Sequence, residues 1–166
     1  MSNKTDDLRI INTQELISPR EIINLLSPTK NGIKTIIDTR NEIKNILNKS
    51  LRKFIIVVGP CSIHDVDAAK EYAEKLNELK NTLSKHCLII MRGYFEKPRT
   101  VVGWKGLIND PDLDESFKIN DGLKLARQLL IDLSEMNMPC GHEFLDLVSP
   151  QYVSDLISWG AIGART

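Results

Sequence analysis

The sequence predicts an α/β protein built on a parallel sheet and preceded by a helical extension. Two observations carry this reading. Phe54-Ile55-Ile56-Val57-Val58 is an unbroken apolar run stopped by Gly59-Pro60, the pattern of a strand buried on both faces. Short apolar runs then alternate with longer stretches whose apolar residues recur at helical spacing, which demands helical crossovers between parallel strands.

The elements follow in order. Ser18-Pro19-Arg20-Glu21 reads as a capping box with proline at the first helical position. A second helix carries Ile33, Ile36, Ile37, Ile43 and Leu47. After the first strand, Ala69, Tyr72, Ala73, Leu76, Leu79 and Leu83 form one apolar stripe. Strand two is expected over 88–94, with a long loop from about 97 to 117. Asn120 or Asp121 can cap a third helix bearing Leu123, Ala126, Leu129, Leu130 and Leu133. Strand three is short, around 142–145. Ser149-Pro150 opens another helix with Val153, Leu156 and Ile157, and 161–165 reads as strand four. The expected division is an extension over 1–50 and a strand-and-helix region over 51–166.

Composition excludes several classes. The 22 basic and 22 acidic residues cancel, whereas a nucleic-acid binder usually shows a basic excess. No apolar run is long enough to cross a bilayer, and the N-terminus lacks the apolar core of a signal peptide. The three cysteines, Cys61, Cys87 and Cys140, form no disulfide framework. Their odd number points to a reducing compartment, hence a soluble cytoplasmic protein.

In parallel α/β sheets, ligands bind at the carboxyl ends of the strands. Here those ends carry Cys61, then Arg92 with Lys97, Arg99 and Thr100, then Glu143 with Asp146, then Arg165. Three cations and a hydroxyl between 92 and 100 suit a doubly anionic small molecule, such as a sugar phosphate or a phosphorylated carboxylate. Arginine gives two-pronged hydrogen bonds, and lysine gives a point charge. A solvated basic loop is the plainer alternative, but functional groups at every strand end weigh against it. A lone cysteine is more often a small buried hydrophobe. As a thiolate at a strand tip, Cys61 can instead ligate Fe(II), Zn(II) or Mn(II). His64 stands at Cys-x-x-His spacing from it, although His64-Asp65 can equally open the next helix. Trp104 and Trp159 read as packing residues.

The motifs Gly59-Pro60-Cys61-Ser62-Ile63-His64-Asp65, Tyr94-Phe95-Glu96-Lys97-Pro98-Arg99-Thr100 and Val102-Gly103-Trp104-Lys105-Gly106-Leu107-Ile108 are long and specific. With Glu143-Phe144-Leu145-Asp146 and 158–166, they resemble the class I 3-deoxy-D-arabino-heptulosonate-7-phosphate (DAHP) synthases. The resemblance implies a (β/α)8 barrel, of which this chain would hold an N-terminal extension and the first four strands. It implies a cytoplasmic transferase of the shikimate pathway that condenses phosphoenolpyruvate with erythrose 4-phosphate. It implies a divalent metal (Mn, Fe, Co or Zn) with Cys61 as one ligand, and Lys97 as the catalytic cation. Arg92, Lys97, Glu143, Ala164 and Arg165 then match phosphoenolpyruvate contacts. Arg99 and Thr100 match erythrose 4-phosphate contacts, and Lys105 lies near the phosphate cluster. Asp6, Asp7, Asp146, Leu147, Pro150 and Gln151 match the site of an aromatic amino-acid effector. The extension matches the part that assembles homo-oligomers.

The departures from the family carry expectations too. The family chain is about twice as long, so a partial sequence or a decayed reading frame is expected, with the remaining metal ligands elsewhere. Relatives carry a larger residue at Gly93, which is expected to loosen the strand end. The alternatives are an inactive half barrel acting as a binding or regulatory module, and a phosphoenolpyruvate-condensing barrel for another sugar phosphate. The Lys-Pro-Arg-Thr loop argues against the latter.

Overall fold

The computed structural model describes residues 5–6, 8–10, 12–97 and 102–163. Helix α1 is Pro19–Leu25 and α2 is Lys30–Leu47; then come β1 Phe54–Val58, α3 Val66–Leu83, β2 Cys87–Arg92, α4 Ile119–Glu135, β3 Cys140–Phe144, α5 Pro150–Val153 and β4 Trp159–Ile162. A single 3₁₀ turn, Ser154–Leu156, continues α5. The strands pair in parallel in the order β1-β2-β3-β4. The alternation expected from sequence is therefore present.

The starts of α1, α2 and α3 are capped by short polar side chains, Ser18, Thr29 and Asp65. Ser18 Oγ accepts from the Glu21 N–H at 3.2 Å, with Pro19 opening α1. Asp65 accepts from the Ala68 N–H at 2.9 Å and caps α3. The expected cap of α4 is different. The cap position is Lys118, without a side-chain bond. Asn120 lies inside the first turn, where it accepts from the Ile17 N–H at 2.9 Å and donates to the Glu15 carbonyl at 3.0 Å. Its side chain thus ties the extension to α4.

The sheet has two unlike faces. The outer face, with Ile89, Met91 and Cys140, packs under Ala69, Ala73 and Leu76 of α3 and Leu123, Ala126, Leu129, Leu130 and Leu133 of α4. The inner face, with Ile55, Leu88, Ile90 and Trp159, meets Ile43 and Ile46 of α2 near the strand starts. Trp159 is a packing residue, as expected. The apolar stripe of α2 is divided: Ile36 and Ile43 are buried, whereas Ile33, Ile37 and Leu47 are exposed. Leu79 and Leu83 of α3 are exposed as well. Strand β1 departs most from expectation. Phe54 is 76% exposed, and Ile56, Val57 and Val58 are also open, because β1 pairs on one side only and α2 covers only part of the inner face.

Strand limits move by about two residues. β2 ends at Arg92, β3 begins at Cys140, and β4 covers Trp159–Ile162. Hydrophobicity cannot see where a ladder partner starts or stops, so these limits follow the pairing. Gly122 is required by a close approach. A Cβ there would stand 2.2 Å from the Ile108 carbonyl oxygen, so the start of α4 rests directly on the 107–108 backbone.

Candidate functional site

The side chains singled out at the strand ends converge where alternation directs them. Arg92 shares the inner face with Ile90 and Leu88, two and four residues earlier. Glu143 shares that face with Gly141, whose missing Cβ would face Ile90 and Val57. After β1, the Gly59-Pro60 turn presents the Cys61 thiol at the surface. Buried Ile63 donates its N–H to the Tyr94 carbonyl at 2.8 Å, which docks this turn onto the segment after β2.

Lys97 Nζ lies 3.0 Å from Cys61 Sγ, and Arg92 Nη2 donates to the Cys61 carbonyl at 3.3 Å. The Arg92 guanidinium sits over the Tyr94 ring, 4.1 Å from its centroid. Arg92 Nε is buried with no hydrogen-bond partner among the described residues. A half-buried guanidinium with one buried, unmet donor is a ready site for an anion, since a buried donor without a partner costs about 1–3 kcal/mol. Two cations and a soft sulfur thus meet at one point.

The loop that follows is pinned at its base. The Lys97 N–H donates to the Lys105 carbonyl at 2.9 Å, and Glu96 bridges antiparallel to Gly106. Gly106 has φ +108°, and a Cβ there would stand 2.2 Å from the Phe95 carbonyl oxygen, so only glycine permits this closure. Half-buried Lys105 is thereby held beside Lys97. Trp104 donates to the Asp110 carbonyl at 2.7 Å, and its ring meets His64 edge-on with centroids 6.4 Å apart. Trp104 packs as expected. The Cys-x-x-His pair receives no support, because His64 is engaged with Trp104 while Asp65 caps the helix. Arg99 and Thr100 lie outside the described residues, as do Asp7, Ala164 and Arg165.

The β3 end serves a second purpose. Asp146 Oδ1 accepts from the N–H groups of Val148 and Ser149 at 2.5 and 2.7 Å, shaping the turn into α5. Ser149 Oγ donates to Glu96 Oε2 at 3.3 Å, so this turn touches the base of the Lys97 loop. Burial, and then the charge of Asp146, push the Glu96 carboxyl above its usual range. Leu147 is 86% exposed and Gln151 is exposed. Pro150 is half-buried at the start of α5, and Asp6 is exposed. Among the described residues, no group of three or more His, Cys, Asp or Glu side chains could hold a metal ion. Of the metal-binding donors, the described part of the site supplies Cys61.

Sequence reading missed Glu96, Tyr94 and His142. His142 is 1% exposed, and its Nδ1 lies 2.6 Å from the Gly93 carbonyl oxygen. Burial lowers the His142 pKa from the ordinary 6.5, opposed by the Gly93 bond and by Asp146. The unfolded chain therefore takes up this proton first, and stability is lost as pH falls through about 6.5 toward the folded value. Glu96 acts oppositely, since a raised folded pKa adds stability as pH falls through it. Melting temperature followed from pH 8 to 5 should fall less steeply for His142→Leu than for the parent chain. Parallel curves would show that His142 does not set this slope.

Gly93 does not loosen the strand end. Its N–H donates to the Gly141 carbonyl at 2.8 Å, so the backbone ladder extends past Arg92. A Cβ would meet Leu130 at 3.6 Å and Cys140 at 3.8 Å, ordinary contacts. Gly93→Ala should therefore stabilise the chain by about 0.4–1 kcal/mol, by restricting the unfolded state. A lower urea midpoint for Gly93→Ala would refute this.

Comparison with known proteins fits this geometry. The DAHP synthetase I family model matches residues 34–166. The chain belongs to that family. It is 51% identical over 166 residues to the Phe-sensitive phospho-2-dehydro-3-deoxyheptonate aldolase of Escherichia coli strain K12, covering 100% of this chain and 47% of that protein. It is 52% identical over 163 residues to the Trp-sensitive enzyme of Buchnera aphidicola from Schizaphis graminum, covering 98% and 47%. A solved phospho-2-dehydro-3-deoxyheptonate aldolase from Francisella tularensis superposes with TM-score 0.89 at 53% identity, covering 95% of this chain and 46% of that one. The chain thus spans about half the length of these relatives, and its four parallel strands form a half-barrel. No helix among the described residues is long and apolar enough to cross a membrane.

Proposed function

We propose that this chain is the amino-terminal half of a DAHP synthase, a transferase that joins phosphoenolpyruvate to erythrose 4-phosphate in the first step of the shikimate pathway. The observation that carries the proposal is the meeting of Lys97, Arg92 and Cys61 at the carboxyl end of a parallel half-barrel. Arg92 and Glu143, with Ala164 and Arg165, receive phosphoenolpyruvate. Arg99 and Thr100 receive the sugar phosphate, and Lys105 stands near the phosphate cluster. Holding two anions against one another removes an entropic part of the barrier. Lys97 Nζ places a proton and a positive charge where the aldehyde oxygen becomes an alkoxide.

A divalent metal suits this corner in its donor chemistry, since the exposed Cys61 thiol is a soft ligand at a strand tip. When bound, such an ion polarises the aldehyde carbonyl. The other ligands come from outside the described residues. The names of the relatives support regulation by an aromatic amino acid, and the proposed effector site is Asp6, Asp7, Asp146, Leu147, Pro150 and Gln151. In the same reading, residues 1–50 help assemble a cytoplasmic homo-oligomer.

The test joins residues 1–166 to the remaining half of the Escherichia coli relative. In that completed barrel, Lys97→Ala should lower kcat about 10²–10³-fold while metal affinity holds. Cys61→Ser should weaken metal binding by at least the roughly 10–100-fold that losing an outer-shell partner costs. Both should melt near the parent temperature. Unchanged kcat in the first, or an unchanged metal titration in the second, would remove that residue from the mechanism. An inactive completed barrel would favour a binding or regulatory module instead.

A further inference from the structure

The seam between β2 and β3 is the thinnest in the sheet. The β1–β2 ladder runs from Phe54↔Cys87 to Val58↔Met91, whereas β2 and β3 register only through Met91↔Cys140 and Arg92↔Gly141. This short seam carries Arg92 on one side and Glu143 on the other. One residue further on, Gly93 lies opposite His142. The Gly93 N–H still donates to Gly141 at 2.8 Å. Its carbonyl accepts from a side chain, the His142 imidazole, at 2.6 Å.

That bond fixes the tautomer. A carbonyl oxygen only accepts, so Nδ1 bears the proton and Nε2 keeps its lone pair. Nε2 is buried without a hydrogen-bond partner among the described residues. The ring is clamped by Phe95, Phe144 and Tyr94, with centroids 5.3, 5.2 and 6.1 Å away. An imidazole held in this way does not rotate to offer its other nitrogen. It acts as a fixed donor on the outer face, directly behind the two inner-face side chains.

We infer that His142 is a positioning residue, whose Nδ1–H bond to Gly93 replaces the missing ladder contact and sets Arg92 against Glu143 for a phosphorylated carboxylate. The inference rests on the substrate roles proposed for Arg92 and Glu143. A purely space-filling His142 would affect stability and leave ligand affinity alone.

The experiment is a titration of the completed barrel, residues 1–166 joined to the remaining half of the Escherichia coli relative, with phosphoenolpyruvate, followed by amide NMR shifts at Arg92, Gly93 and Glu143. Inorganic phosphate serves as the control ligand. His142→Leu keeps the volume and removes the donor. His142→Asn restores an N–H near the Nδ1 position with less ring packing. We expect about a tenfold weaker dissociation constant for His142→Leu, the scale of one lost hydrogen bond. His142→Asn should recover most of that affinity while melting below the parent. Nitrogen-15 shifts should report Nδ1 protonated and Nε2 bare in the parent chain. Equal affinity in parent and His142→Leu overturns the inference, as does an Nε2-protonated ring. If His142→Leu does not fold, an His142→Asn chain with tenfold weakened affinity overturns it as well. Absence of any phosphoenolpyruvate shift in the parent overturns the substrate reading itself, and the inference with it.

Discussion

Asp155→Ala should destabilise the chain by about 3 kcal/mol, a large share of the roughly 5–15 kcal/mol that holds an ordinary domain folded. The reason is its partner. Arg127 is 0% exposed in the middle of α4, and its two terminal nitrogens reach the two Asp155 oxygens at 2.7 and 2.8 Å. The same guanidinium donates to the Tyr152 and Leu26 carbonyls at 2.8 Å each, joining α4 to α5 and to the end of α1. Two carbonyls cannot neutralise a buried cation, so removing the carboxylate strands the charge. Asp155 is itself 39% exposed, and water entering the vacated space places the loss at the low end of the range for buried pairs. Arg127→Met should cost less, because it removes the charge together with its need for a partner. Urea midpoints for the two variants decide the matter, and a loss below 1 kcal/mol for Asp155→Ala would show that the carbonyls suffice.

Arg127 also marks the limit of sequence reading. It falls among Leu123, Ala126, Leu129 and Leu130 on an amphipathic helix, where a charged residue reads as part of the solvent face. Its burial depends on Leu26, Tyr152 and Asp155 arriving from far along the chain. The alternation of strands and helices was legible because hydrophobic periodicity is local. The exposure of β1 was not, since Phe54–Val58 has the composition of a doubly covered strand whatever stands beside it. Asn120 was readable as a cap by residue type, but the backbone it bonds belongs to Glu15 and Ile17.

The site divides in the same way. Cys61, Arg92 and Lys97 were legible as a group because all three follow apolar runs, and parallel strands bring such ends together. Glu96 was hidden between Phe95 and Lys97. Only the docking of Ser149 and Asp146 against it makes it a half-buried carboxyl. His142 was hidden because its role lies in a single bond to Gly93, a residue whose absence of side chain read as a weakness. Both cases have one cause: a short-range pattern names the residue, and a long-range contact gives it a task.

The largest expected effect on activity belongs to the polypeptide of residues 1–166 tested by itself, which should form no detectable DAHP. One unpaired edge is β1, with Phe54 76% exposed, and the other is β4, with Ile162 84% exposed. Open strand edges with apolar faces favour pairing with other chains, so sedimentation should find oligomers or aggregates. The chemistry is short of parts as well. Catalytic divalent ions are generally held by three or more protein ligands, and the described residues bring one candidate, Cys61, to this end of the sheet. Arg92 and Lys97 can attract phosphoenolpyruvate, but charge alone leaves the aldehyde unactivated. Supplying the other half of a relative closes both edges and adds ligands, and activity should rise by at least about 10³-fold, the scale of a missing catalytic apparatus. Manganese-dependent condensation by the 166-residue polypeptide at a rate near that of a full-length relative would refute this. It would mean that two copies, β4 of each beside β1 of the other, rebuild an eight-stranded site.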